Sequence, residues 1–188
     1  MSSITSSAQY QKKLAINRLG LWLFFASDAF MFGGLLVARF YLLGNRRLEL
    51  EQTLGLVVTV VLLVSSFFMN RAEVMMSKGN QKGFRRSILV TIVLGILFLA
   101  GVVGVEWQTA HFQVNEGAQG AVFYMMTGMH AFHVLTGIIF LLIVYRNGLK
   151  GKYTAEKHYA VEASANYWHF IDLVWIIYYP ALYLMGLI

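Results

Sequence analysis

Apolar and polar positions alternate along this chain in long blocks. Five apolar runs, at about residues 19–43, 54–76, 87–107, 121–145 and 163–188, are separated by short polar connections. Each run is long enough, at about 1.5 Å of rise per residue, to cross a hydrocarbon layer about 30 Å thick as an α-helix. The pattern predicts an all-α, integral membrane bundle of five transmembrane helices. Residues 1–18 read as a Ser-rich, polar, mobile tail, and residues 19–188 as one transmembrane domain with no soluble domain left over. The first apolar run is too long for a signal-peptide core and is expected to stay in place.

Within these runs the informative positions are the polar ones. In the first, Leu19 to Leu43, only Asp28 and Arg39 ionise. Arg39 can snorkel to an interface; Asp28, about 13 Å in from Leu19, cannot. A carboxylate there costs several kcal/mol, so the group must be neutral or face protein partners or water. It serves either as a structural acid hydrogen-bonded between helices or in proton chemistry. Gly33 and Gly34 would let a neighbouring backbone approach. In the second run Ser65, Ser66 and Asn70 form a polar edge suited to helix packing. In the fourth, Tyr124, Thr127, His130 and His133 recur every three residues as a stripe, with Gly128 and Gly137 permitting tight contact. In the fifth, Glu162, Asn166 and His169 share a face that Asp172 and Trp175 continue inward. Two stripes and Asp28 thus call for a shared interior. Trp22, Trp107, Tyr145 and Trp168 read as interfacial anchors.

Composition changes the picture by exclusion. The chain has 188 residues, 58% hydrophobic, and no cysteine, which removes disulfides, thiolate ligands and iron–sulfur clusters. Its formal net charge of +6 would suit nucleic acid, but the basic residues sit in short loops, where they orient the chain and meet anionic lipid, so no nucleic-acid partner is expected. Of the 15 Lys and Arg, only Arg39, Arg46 and Arg47 fall on one side of the five runs. The other twelve put the N-terminus inside and the C-terminus outside. Arg71, Arg85 and Arg86 are candidate phospholipid headgroup ligands. A haem held by two histidines is disfavoured, because His133 and His169 lie about 18 and 9 Å from the inner ends of their runs, and His130 and His133 share one helix. Glu106, His111 and Glu116 lack close ligand spacing and read as a solvated loop. No catalytic or metal-binding residue is assigned.

The runs FFASDAFMFGG, LLVSSFFMNRA, LGILFLAGVVGVEW, FYMMTGMHAFHVLTG and EASANYWHFIDLVWIIYY, one in each span, resemble subunit III of the haem–copper terminal oxidases, in its short five-helix form. Asp28 falls where many members carry Glu, one methylene longer. The resemblance implies a multi-pass subunit of the bacterial plasma membrane, without haem or copper of its own. Its partners would be the catalytic subunit I, which holds the haem and copper, and subunit II. Its role would be accessory: binding phospholipid, supporting access of protons and oxygen, and stabilising an enzyme that reduces oxygen to water and pumps protons. Two alternatives stand beside it, a subunit III-like partner of nitric oxide reductase and a stand-alone proton channel or small transporter.

Overall fold

The computed structural model describes residues 2–46 and 48–185, with side chains from Gln9 onward. Arg47, part of the charge count, and Gly186 to Ile188, the end of the fifth run, lie outside the described residues. Five long helices account for the apolar runs, and the described residues contain no strand. Helix α1 is Ser2–Leu43, α2 Gln52–Ser77 and α3 Gln81–Leu99, the last continued by a π-helical segment, Ala100–Glu106, and a turn, Trp107–Thr109. Helix α4 is Gly117–Leu149 and α5 Tyr159–Tyr179, closed by a second π-helical segment, Pro180–Leu184. Four of them, spanning Gln9–Leu43, Gln52–Ser77, Gln81–Thr109 and Gly117–Leu149, are long and apolar enough to cross a membrane.

Residues 2–18, read from the sequence as a tail, are helical and continue α1. The physical reason is that Ala8, Gln9, Gln11, Lys12, Lys13 and Leu14 are good helix formers with no Gly or Pro among them. Extending a helix already nucleated in the membrane costs far less than starting one.

Helices α2, α3, α4 and α5 close into a ring in which each packs on the next, and α1 leans from outside on α4 and α5. The ring is organised around two tryptophans of α5 seven residues apart, hence on one face. Trp168, 1% exposed, donates its indole N–H to Ser65 Oγ of α2 at 2.9 Å. Its ring lies against Gly95 of α3 and Gly137 of α4, where an added Cβ would come within 2.6 and 3.1 Å of it. Trp175 repeats the arrangement two turns on, donating to Thr59 Oγ1 of α2 and packing edge-on to Phe98 of α3 and beside His130 of α4. Trp168 is therefore a core residue, not the interfacial anchor expected. A buried indole needs a partner for its N–H, and the small residues opposite supply both the partner and the room. Trp22, by contrast, is 66% exposed. A Cβ added at Gly33 or Gly34 would meet nothing within 4 Å among the described residues, so neither glycine is a point of close helix contact: Gly34 is exposed, and Gly33 borders an open groove against α5.

Candidate functional site

The polar residues of the membrane interior do not converge on one shared cavity. They resolve into separate pairs, each lodged in the seam between two helices. The physical reason is that α4 and α5 each present polar groups at successive turns whose small angular offsets send them to different neighbours.

Asp28 meets His133. Its carboxylate Oδ2 lies 3.4 Å from His133 Nε2, between α1 and α4, with both side chains largely buried. The contact is within ion-pair range, although it is not aligned as a hydrogen bond in this conformation. On the other edge of the ring, Nδ1 is 2.8 Å from the Met129 carbonyl, which can only accept, so Nδ1 carries a proton. That leaves Nε2 to accept from a protonated Asp28, or to donate to an ionised one. In either form the pair is neutral overall, the condition under which a carboxyl group is tolerated inside a membrane. Phe32 closes one side of the ring at 4.8 Å. His133, Thr136 and Tyr167 also line a groove of about 430 Å³ walled by Leu21, Phe24, Phe132 and Phe140. Tyr167 and Thr136 share a hydrogen bond of 2.7 Å there.

The polar face of α5 is distributed along its length. Glu162 forms a two-oxygen ion pair with Arg18 of α1, at 2.9 and 3.0 Å. Asn166 and His169 line a groove against Trp22, Phe25, Ala26 and Ala29 of α1, and His169 Nδ1 also lies 2.7 Å from Ser66 Oγ of α2. Asp172 is buried, 4.0 Å from His169 Nδ1, with neither oxygen hydrogen-bonded among the described residues. Thr127 accepts from Trp107 Nε1 at 3.1 Å and donates to the Phe123 carbonyl. Trp107 is thereby tied into α4, beyond the anchoring role expected of it. His130 is fully buried between Phe98 and Trp175, and neither ring nitrogen has a partner among the described residues. His130 and His133 thus occupy different surroundings.

Two buried charges escaped the sequence reading. Arg39 is fully buried, not snorkelling: it donates to the carbonyls of Ala181 (2.7 Å), Gly44 (2.5 Å) and Arg46 (3.1 Å). The chain turns at Gly44, whose φ of 54° is in the left-handed region, and so brings carbonyls back to the guanidinium. That glycine five residues on was the available signal. Glu106 is also buried and accepts a hydrogen bond from Tyr183, so it does not belong to a solvated loop. The π-helical turn carries Val102 and Glu106 to the same core-facing side, and π turns leave little trace in sequence. His111 and Glu116 are exposed, so Glu106, His111 and Glu116 do not come together. Of the basic residues, Arg71 and Arg86 are exposed, while Arg85 is half-buried and donates to the Gly148 carbonyl at the end of α4.

Residues 5–187 match the family model described as cytochrome c oxidase subunit III. The chain is 34% identical over 174 residues to the cytochrome c oxidase subunit 3 of Thermostichus vulcanus, covering 89% of this chain and 86% of that one. It is 32% identical over 182 residues to the subunit of the same name from Dugong dugon, covering 90% and 69%, and 32% identical over 186 residues to that of Equus caballus, covering 90% and 69%.

Proposed function

Because this chain belongs to the cytochrome c oxidase subunit III family, and so is a multi-pass membrane, accessory component of a haem–copper oxidase complex, we propose that its own contribution is made through the Asp28–His133 pair. In this role the chain is a non-catalytic subunit, seated beside subunits I and II in a bacterial plasma membrane. It holds its catalytic neighbour in a working state and supports proton uptake and the access of oxygen and lipid. The single observation that carries it is a carboxyl and an imidazole 3.4 Å apart between two helices apolar enough to span a membrane, beside an apolar groove.

Such a pair can take up or release a proton with a change of one charge, and the groove beside it suits an acyl chain or a small apolar molecule. The exposed Arg71 and Arg86 would hold phospholipid headgroups at the inner surface. All of the relatives named above are cytochrome c oxidase subunits, which favours the oxidase over a nitric oxide reductase partner.

The test is oxygen consumption by the assembled complex followed over many turnovers with Asp28→Asn. The amide keeps the shape and a donor for His133 but cannot ionise. The expected outcome is normal assembly and near-normal initial rate, with a shorter working life or slower proton uptake. Equal lifetimes and equal proton uptake for wild type and Asn would reduce Asp28 to a packing residue.

A further inference from the structure

The inner half of the seam between α2 and α5 is polar on the outside of the bundle. Its register is set by Ser65 to Trp168, Ser66 to His169 and Thr59 to Trp175, which makes the two helices antiparallel neighbours. One turn further toward the inner end, Asn70 of α2 comes level with Asn166 of α5, and another turn on Glu73 comes level with Glu162. Glu73 lies within electrostatic reach of Glu162, His169 and His158. Three rungs of polar side chains thus run down one seam. Asn70 is exposed, and Ser66, Glu73, Glu162, Asn166 and His169 are half-exposed.

That is an unusual surface to turn toward lipid. Asn70 sits six residues before Met76, about 9 Å in from the inner end of its helix. Amide and imidazole groups at such depth are costly against hydrocarbon and are found instead bonding other helices. Ser27 of α1 is also exposed, but a serine hydroxyl can satisfy itself on its own helix backbone. The seam on the far side of the ring, between α3 and α4, exposes Ile96, Val103, Phe132 and Leu135 and carries no such groups.

Charge adds a second, independent constraint. Of the two carboxylates on the inner rung, Glu162 is held by Arg18, whereas Glu73 forms no ion pair or hydrogen bond among the described residues. Two carboxylates with one cation between them leave a local excess of negative charge at the inner end of the seam.

Resting on the family reading above, we propose that the α2–α5 seam is the docking surface for a transmembrane helix of the haem-bearing subunit. That helix presents a hydrogen-bonding side chain opposite Asn70 and Asn166 and a Lys or Arg at its inner end opposite Glu73. The α3–α4 seam then faces lipid.

The experiment uses the whole complex, with a photo-reactive benzoylphenylalanine introduced at Phe67, Asn70 or, as the opposite-face control, Leu135. Phe67 is 63% exposed one turn from Asn70 and exchanges one aromatic ring for another, so it guards against a variant at position 70 that fails to assemble. Illumination should give an adduct with the haem-bearing subunit from positions 67 and 70 and none from 135. Glu73→Gln should loosen the chain from the complex as detergent or salt is raised. Adducts from 135 but not from 67 or 70, in a complex that still co-purifies, would overturn the docking surface and leave the family role standing. Lipid adducts alone from 67 and 70, or modification of a cysteine placed at 70 by a water-soluble reagent, would also overturn it, in favour of a lipid-facing or a hydrated seam. If the chain copurified with no haem protein at all, it is the functional reading that would fail.

Discussion

A carboxyl group and an imidazole 3.4 Å apart in a membrane stabilise each other only as a pair, so removing one exposes the cost of the other. Asp28→Leu leaves His133 Nε2 facing an apolar side chain. The complex should lose about 1–3 kcal/mol of stability, the cost of an unsatisfied buried polar group. Pairing Asp28→Leu with His133→Phe removes both groups and should recover most of that loss. Unfolding of the four members of this cycle in detergent measures the coupling directly, and additive losses would show that the two residues do not interact. The sequence marked Asp28 as needing a partner, from depth alone. It could not say which of the polar residues on α4 and α5 the partner was, since Tyr124, Thr127, His130 and His133 lie at three-residue intervals and the choice depends on how α1 is rotated against α4.

At the scale of the helix, Trp168 joins several packing contacts in one side chain. Its ring fills the space that Gly95 and Gly137 leave open, and its N–H reaches Ser65, so one residue fastens α5 to the other three members of the ring. A Cβ at position 95 would lie 2.6 Å from the indole, and Gly95→Leu must therefore displace it. Overpacking of this kind costs about 1–3 kcal/mol, to which the lost indole hydrogen bond adds. Gly34→Leu, at a position with no neighbour within 4 Å, should leave the thermal stability of the purified chain unchanged. Both glycines looked alike in the sequence, as small residues in a membrane helix. Only the rotation of each helix about its own axis separates the one that seats a tryptophan from the one that faces outward.

For the whole molecule, the distribution of Lys and Arg gives a topology that can be checked cleanly, because the chain has no cysteine. Single cysteines placed at Lys78, between α2 and α3, and at Asn115, before α4, lie on opposite sides of the bundle. With the N-terminus inside, a membrane-impermeant maleimide added to intact cells should label position 115 and spare position 78. The reverse pattern would invert the molecule and, with it, every statement about an inner or outer end.

What the sequence by itself determined is the solvent of each segment. Length and hydropathy mark five apolar helical runs, four of them in helices long and apolar enough to cross a bilayer, and the oxidase motifs spread over all five are specific enough to identify the family. These are local properties, additive along the chain, and they survive without knowledge of the neighbours. What only the tertiary structure decided is which side chains are partners. The burial of Arg39 depends on carbonyls at positions 44, 46 and 181, and that of Glu106 on a π-helical turn and on Tyr183, 77 residues away. Trp168 belongs to the core because glycines on two other helices face it. Each of these outcomes rests on the azimuth of one helix against another. A shift of a single residue rotates a side chain by about 100°, and hydrophobic blocks that are apolar nearly all round do little to specify that angle. The polar groups specify it instead, by finding one another.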